Sequence, residues 1–280
     1  MISSLDESIQ KEFDIYCYET KNPFDNIEVC LDYFESLSNC LFDIKDYLND
    51  IEKLYVERRL YRKWSQVIGS KRRNFSVPNP VFDEFLKLYI NPIIQHIEIH
   101  PKAHGGENGW STKRSLETHL PVGTAFSFDM EDAFSNVNIR HVFQFFYINF
   151  NDRKFSGFLS FLLTSLDRDR RVLPQGATHS MALFNRILYD FDAEIEARCN
   201  ERDFIYTRWV DDMTISSSNS LEMEEFFGAI KLAEKYFSVA KCKIFFRECR
   251  IRYIYLGTLF NKIKSLKTVE KKGREIKLCQ

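Results

Sequence analysis

Two adjacent acidic residues interrupt an apolar, β-prone stretch in the second half of the chain. Residues 205–217 read IYTRWVDDMTISS, in which Asp211 and Asp212 separate two runs that favour strands. Asp is common in turns because its side chain bonds its own backbone, so an ordinary hairpin is the simplest interpretation. Neighbouring carboxylates, however, raise each other's pKa unless a cation binds them, and Mg²⁺ prefers carboxylate oxygen. A third carboxylate from elsewhere in the chain would favour a metal site.

Length and composition limit the class of protein. The 280 residues, 44% hydrophobic and 15% aromatic, predict one large globular domain or two small ones. The first ten residues, MISSLDESIQ, are acidic and polar, unlike a signal peptide, and no apolar run is long enough to span a bilayer. We therefore expect a cytoplasmic protein with no membrane association. The seven cysteines show no CxxC pair, which predicts reduced thiols.

The net charge of −1 hides an uneven distribution of charge along the chain. Residues 1–60 are rich in acids, whereas residues 61–73 and 262–277 are rich in Lys and Arg. Basic blocks in a nearly neutral protein indicate either a surface that follows a polyanion or an ordinary solvated face. Composition alone does not separate these two interpretations.

Hydrophobic periodicity predicts a mixed order of helices and strands. Residues 1–65 show helical spacing, GSKRRNFSVPNP is a predicted loop or hairpin, and VFDEFLKLYINPIIQHI is a predicted helix that Pro92 breaks or kinks. From residue 124 the predicted order is strand, helices, strand-loop-helix, the hairpin, an amphipathic helix and final strands. This order indicates an α+β fold with helices on one face of an antiparallel sheet.

Asp129 supplies the third carboxylate. It ends the alternating strand FSFD and precedes MEDAF, where a helix cap is the simplest role for an Asp. Two strand ends that carry carboxylates can meet in one sheet, and such acids hold two metal ions about 3.5–4 Å apart for attack by a hydroxyl on a phosphate.

The motifs resemble those of bacterial reverse transcriptases of the retron, abortive-infection and defence-associated type. The similar segments occur in the family's order over about residues 70–260: KRRNFSVPNPVFDEFLKLYINPII, AHGGENGWSTKRS, FSFDMEDAF, LPQGATHSMALFN, YTRWVDD, SVAKCKIFF and YLGTLF. The resemblance implies a right-hand polymerase with fingers and a ferredoxin-like palm, whose thumb is reduced or absent. The implied regions are an N-terminal helical region (1–65), fingers (66–123), palm (124–261) and a basic tail or vestigial thumb (262–280).

The resemblance also implies roles for individual residues. The implied metal ligands, for two Mg²⁺ ions with Mn²⁺ as an alternative, are Asp129, Asp211, the Met130 carbonyl and, as a weaker ligand, Asp212. Lys243 corresponds to a lysine that protonates pyrophosphate, with Lys241 as a competing alignment. Phe134 corresponds to the ring that excludes a ribose 2′-hydroxyl. The other implied nucleotide-binding residues are Lys71, Arg73, Ala133, Gln175 and Gly176, and the implied primer-positioning residues are Trp209, Leu256 and Gly257.

The resemblance implies an RNA-directed DNA polymerase that uses deoxynucleotides and a structured noncoding RNA, as template or scaffold, in bacterial antiphage defence. A second protein subunit or a homo-oligomer is a further expected partner. Because RSLETHLPVG lacks the retron NAxxH pattern, we favour the broader defence-type group over a true retron enzyme. Two alternatives stay open: protein-primed or template-independent DNA synthesis by the same site, and a catalytically silent RNA-binding scaffold or oligomer subunit.

Overall fold

A computed structural model describes residues 5–37, 44–68, 71–239, 245–248 and 276–277. The helices are α1 Glu7–Glu19, α2 Ile27–Leu37, α3 Ile44–Val56, α4 Pro80–Phe85, α5 Asn91–His96, α6 Thr112–Glu117, α7 Ala133–Asn136, α8 Ile139–Phe150, α9 Arg153–Leu162, α10 Ser180–Ile187, α11 Tyr189–Asn200 and α12 Phe227–Tyr236. The strands are β1 Tyr61–Ile68, β2 Lys71–Pro78, β3 Thr124–Asp129, β4 Ser165–Asp167, β5 Arg170–Val172, β6 Ile205–Trp209, β7 Asp212–Ser217, β8 Phe245–Glu248 and β9 Ile276–Lys277.

The chain divides into two compact units, each built from separate segments. We call the first the sheet unit, which comprises the described residues of 99–133 and 188–280. The second, the helical unit, comprises those of 2–98 and 134–187. The domain boundaries predicted from the sequence remain predictions.

The sheet unit is organised around an antiparallel sheet of five strands. The strand order is β6-β7-β3-β8-β9, so that β3 lies at the centre between β7 and β8. Helix α11 packs against β6 and α12, and the ring of Phe191 contacts those of Tyr236 and Phe237. Phe126 and Phe128 on β3 are buried. This antiparallel sheet with packed helices confirms the predicted α+β class.

The helical unit has a core of aromatic side chains. Phe34 of α2 is fully buried, and its ring contacts those of Phe85, Tyr89, Phe155 and Phe158. Helices α8 and α9 pack against each other, and α1 contacts both of them. The unit also carries two hairpins, β1–β2 and β4–β5.

One secondary-structure prediction needs correction. Residues 61–65, predicted as the end of a helical region, begin β1, which pairs with β2 over its whole length. Arg58 adopts a left-handed backbone conformation (φ 57°) after α3, which ends the helix before this segment. The segment is helical on both sides of Pro92, as predicted. A π-helical turn over Leu86–Ile90 interrupts the regular α-helix between α4 and α5, and Pro92 lies in the first turn of α5.

Four residues with predicted roles lie outside the part of the chain that the structure describes. These are Lys243 and the competing Lys241, together with Leu256 and Gly257. Across the described residues, no helix has both the length and the apolar character needed to cross a membrane. Three described cysteines, Cys17, Cys30 and Cys199, are free thiols, as predicted.

Candidate active site

The strand register of the sheet unit places Asp129 beside the Asp-Asp pair. Asp129, the last residue of β3, lies opposite Asp212, the first residue of β7. Directly opposed residues in an antiparallel pair have Cβ atoms about 4.5–5.5 Å apart. In the β6–β7 hairpin, Trp209 pairs with Asp212, and this is the pair nearest the turn. Val210 and Asp211 lie between them and form the two-residue turn. The predicted hairpin is thereby confirmed.

Backbone hydrogen bonds tie the chain after β3 to this turn and to the segment that follows α12. The Met130 N–H donates to the Asp211 carbonyl at 3.0 Å, and the Glu131 N–H donates to the Ser238 carbonyl at 2.8 Å. Asp129, Met130, Asp211 and Asp212 therefore lie at one end of the sheet. Among the described residues, no three His, Cys, Asp or Glu side chains form a preassembled metal-binding group. The carboxylates are adjacent through their backbones, and their assignment as metal ligands stays a prediction.

The electrostatics of this strand end suit a cation. Burial of the carboxyl group and the adjacent charge of Asp211 raise the pKa of Asp212 to about 6. Asp129 is almost completely buried, with 1% of its surface exposed. A bound divalent ion would offset the repulsion between these acids, and carboxylate and carbonyl oxygens are the donors that Mg²⁺ and Mn²⁺ take. The residues present thus fit a divalent metal in their chemistry.

The turn itself has an unusual backbone. Val210 has a φ of 59°, a left-handed conformation that is rare for a β-branched residue. Strained conformations of this kind persist only where the surrounding structure holds them, and they concentrate at functional sites. Gly105 lies directly against the turn, because a Cβ on it would be 2.5 Å from the Val210 nitrogen.

Sequence reasoning did not identify two residues that support the turn. Arg208 and Asp192, both completely buried, form an ion pair of 2.6 Å, and Arg208 also donates to the Val210 carbonyl at 2.8 Å. A signal existed for Asp192: it lies three and seven residues before the buried Ile195 and Cys199 of α11, a spacing that places an acid on the apolar face. A buried acid requires a buried cationic partner.

The predicted nucleotide-binding residues belong mostly to the helical unit. Arg73 is an exposed residue of β2 that pairs with Gln66 of β1. Three residues later the Ser76 N–H donates to the Gln175 carbonyl at 2.9 Å, so β2 and the LPQG loop lie side by side. Gly176 has a φ of 96°, a backbone conformation that favours glycine, and it lies near Phe75. The structure therefore brings Arg73 and Gln175 to neighbouring segments.

The remaining predicted residues have simpler surroundings. Phe134 is half-buried, and its ring lies 5.1 Å from that of Phe184. Ala133, the first residue of α7, is buried, and Trp209 is half-buried at the end of β6. Lys71 is the first residue of β2. The roles of these residues stay predictions.

Comparison with known families decides the assignment. Residues 62–260 match the family described as reverse transcriptase (RNA-dependent DNA polymerase), which is more than two thirds of the chain. The chain belongs to the reverse transcriptase family. The expectation drawn from the seven sequence motifs is confirmed at this level.

Several relatives of the chain are bacterial retron reverse transcriptases. The retron Ec86 reverse transcriptase of Escherichia coli is 28% identical over 127 residues, which are 45% of this chain and 38% of that enzyme. The retron Mx162 enzyme of Myxococcus xanthus is 26% identical over 162 residues, 53% of this chain and 33% of that enzyme. The retron Se72 enzyme of Salmonella heidelberg is 25% identical over 189 residues, which are 68% of this chain and 47% of that enzyme. The chain thus spans about a third to a half of these relatives.

Solved structures show the same fold. Telomerase from Candida albicans, in complex with a fragment of telomeric RNA, superposes with a TM-score of 0.50 at 11% identity over 71% of this chain and 46% of that chain. Telomerase from Candida tropicalis, also in complex with a fragment of telomeric RNA, superposes with a TM-score of 0.50 at 13% identity over 76% of this chain and 46% of that chain. At such low identity the likeness concerns the fold alone.

Proposed function

We propose that the chain is an RNA-directed DNA polymerase that uses two Mg²⁺ ions. The observation that carries this proposal is the register of β3 and β7, which brings Asp129 to the Asp211–Asp212 hairpin in a member of the reverse transcriptase family. Asp129 and Asp211, with the Met130 carbonyl, would hold the metals, and Asp212 would support them. When bound, the ions would promote attack by the primer 3′-hydroxyl and neutralise charge on the triphosphate.

The protein's own groups would position the reacting molecules. The Met130 N–H donates to the Asp211 carbonyl and so holds the backbone of Asp211 next to the end of β3, which carries Asp129. Arg73 offers a planar guanidinium suited to a phosphate group. Phe134, whose ring rests on Phe184, would restrict the sugar to deoxyribose. Lys243 would donate a proton to the leaving pyrophosphate.

We further propose a dedicated noncoding RNA as template or scaffold, within bacterial antiphage defence. The retron reverse transcriptases among the relatives favour an RNA-copying enzyme, and the resemblance of the motifs implies a specific noncoding RNA. Exposed basic residues on the β1–β2 hairpin suit an RNA backbone: Arg62, Lys63, Arg72 and Arg73. A second subunit or a homo-oligomer is part of the same proposal.

The decisive experiment is to sequence the nucleic acid that copurifies with the protein, before and after incubation with Mg²⁺ and deoxynucleotides. Asp211→Asn should abolish synthesis but keep bound RNA, whereas Asp190→Asn, at an exposed position of α11, should leave both unchanged. New DNA complementary to a defined RNA would support the proposal. Repetitive DNA without a matching RNA would favour template-independent synthesis, and bound RNA without DNA from the unmodified protein would favour a scaffold.

A further inference from the structure

A buried charged network lies directly behind the Asp-Asp turn. Asp192 of α11 and Arg208 of β6 have no exposed side-chain surface. The guanidinium donates from Nε to Oδ1 at 2.8 Å and from Nη2 to Oδ2 at 2.6 Å, which is a bidentate pair. The Tyr206 hydroxyl donates to the same Oδ1 at 2.6 Å. The Asp192 carboxylate thus accepts three strong hydrogen bonds.

Another nitrogen of the Arg208 guanidinium donates to a different target. This nitrogen, Nη1, donates to the Val210 carbonyl at 2.8 Å, the carbonyl of the peptide that leads into Asp211. The planar fork allows one guanidinium to pair with a carboxylate and to reach this carbonyl at the same time, which a lysine ammonium on a single flexible stem does not reproduce. Through this hydrogen bond, the buried pair therefore restrains the position of the Val210 carbonyl in the turn.

The same turn is held from its other side by the segment 102–105. The Arg208 N–H donates to the Lys102 carbonyl at 2.8 Å, and the His104 N–H donates to the Arg208 carbonyl at 2.8 Å. Ala103 forms a parallel bridge with Arg208. The end of β6 is therefore paired both with β7 and with this segment, immediately before Val210 enters its left-handed conformation.

A core ion pair without any functional role is the simpler interpretation, and replacing such pairs by apolar residues is often neutral for stability. That interpretation explains the pairing of Arg208 with Asp192. It does not explain why Nη1 donates to the carbonyl of a strained residue within the Asp-Asp turn. The left-handed Val210 requires an external restraint, and the Nη1 hydrogen bond supplies one.

We infer that Asp192 and Arg208 are a positioning pair, which fixes the Val210–Asp211 turn so that Asp211 is held ready to bind metal beside Asp129. The inference rests on the proposed function, because it assigns a purpose to the position of Asp211. Groups that orient metal ligands from outside the ligand sphere change metal affinity by about 10- to 100-fold when they are altered. Neither residue touches substrate or metal in this scheme.

The test compares Arg208→Lys with Tyr206→Phe. Arg208→Lys keeps a positive charge near Asp192 but removes the bond to Val210, whereas Tyr206→Phe removes one bond to the same carboxylate and leaves the turn untouched. Mn²⁺ binding to the full chain is measured by electron paramagnetic resonance, and hydrogen–deuterium exchange is measured for peptides over residues 205–217. If Arg208→Lys does not fold, the double variant Asp192→Leu/Arg208→Met removes both charges together with the bond to Val210.

We expect Arg208→Lys to weaken Mn²⁺ binding by about 10- to 100-fold and to accelerate exchange in the hairpin, with little change for Tyr206→Phe. Faster exchange with unchanged Mn²⁺ affinity would reduce the pair to a structural role and overturn the inference, as would no difference between the two variants. If Asp211→Asn binds Mn²⁺ as well as the unmodified chain does, the proposed metal site fails. In that case the metal-positioning role fails with it, and exchange shows only whether the pair stabilises the turn.

Discussion

At the scale of single residues, the Asp-Asp turn depends on a glycine that lies 106 positions earlier in the chain than Asp211. Gly105 contacts the backbone of Trp209 and Val210 so closely that a Cβ would lie 2.5 Å from one atom and 2.8 Å from another. These neighbours are backbone atoms of a strained turn and have little freedom to move. The glycine thus supports the site without carrying any chemistry.

We predict that Gly105→Ala lowers the free energy of unfolding by about 1–3 kcal/mol, the usual cost of overpacking. We also expect DNA synthesis to fall by more than the loss of folded protein accounts for. Gly228→Ala is the matched control, because its added Cβ would meet only the flexible Arg202 guanidinium at 3.4 Å and helix α12 would gain a better helix former. Chemical denaturation and primer extension on the same preparations measure both effects. Equal stability and equal DNA synthesis in the two variants would exclude a role for Gly105 in supporting the Asp-Asp turn.

Phe134 permits a second prediction at this scale. Replacing the ring with Ala should raise the ratio of ribonucleotide to deoxynucleotide incorporation by about tenfold or more, at the lower end of what a change in pocket size achieves. Phe227→Ala, at an exposed position on α12, controls for the general loss of a phenylalanine. Competition assays with both nucleotides give the ratio. An unchanged ratio would mean that the register drawn from Asp129 to Phe134 is wrong.

At the scale of elements, one buried histidine links the two strands of the hairpin. The His119 ring nitrogens pair with the hydroxyls of Ser216 on β7 and Thr207 on β6 at 2.6 and 2.7 Å. A neutral imidazole donates from one nitrogen and accepts at the other, so this arrangement suits the uncharged ring. Burial, with smaller contributions from His104 and Lys102, lowers the pKa of His119 to about 3.

This shift predicts a dependence of stability on pH. Because the folded pKa lies below the ordinary value of 6.5, the unfolded chain binds the proton first as pH falls. The contribution of the buried, neutral His119 ring to the free energy of unfolding is complete above pH 6.5. It is lost as pH decreases towards 3, by about 1.4 kcal/mol per pH unit. His119→Gln should flatten the profile of unfolding free energy below pH 6.5, whereas His96→Gln, at an exposed position, should not. Parallel slopes for the unmodified chain and His119→Gln would contradict this.

Elements with strong local patterns were predictable from the sequence. The β6–β7 hairpin, β3 and helix α8 follow from alternating or helical spacing over short ranges. Strand β1 was not predictable, because YRKWSQVI continues a helical spacing and only its pairing with β2 makes it a strand. The carboxylates were found because adjacent acids are conspicuous in an apolar run. Arg208 and Gly105 were not found as supports of the turn, because their roles depend on contacts between distant segments.

At the scale of the whole molecule, the family match begins at residue 62, and the helices before it lie outside that match. The structure makes these helices part of the helical unit. Ion pairs join α1 to α8 and α9, from Arg140 to Asp14 at 2.6 Å and from Arg153 to Glu12 at 3.2 Å. Beneath them, the buried Tyr16 ring faces Gly157 of α9. Helix α1 therefore contributes to the core of this unit.

The Tyr16–Gly157 contact allows a test of that contribution. A Cβ at Gly157 would lie 2.4 Å from the ring, so Gly157→Ala should cost about 1–3 kcal/mol of stability. In a Tyr16→Ala background, which itself should cost about 3–5 kcal/mol, the same change should cost little, because the ring that it meets is gone. Tyr16→Phe keeps the ring and should be neutral or stabilising, since the Tyr16 hydroxyl is buried without a hydrogen-bond partner among the described residues. Unfolding of these four variants by denaturant measures the coupling, and strictly additive costs would mean that α1 does not pack on α9 as described.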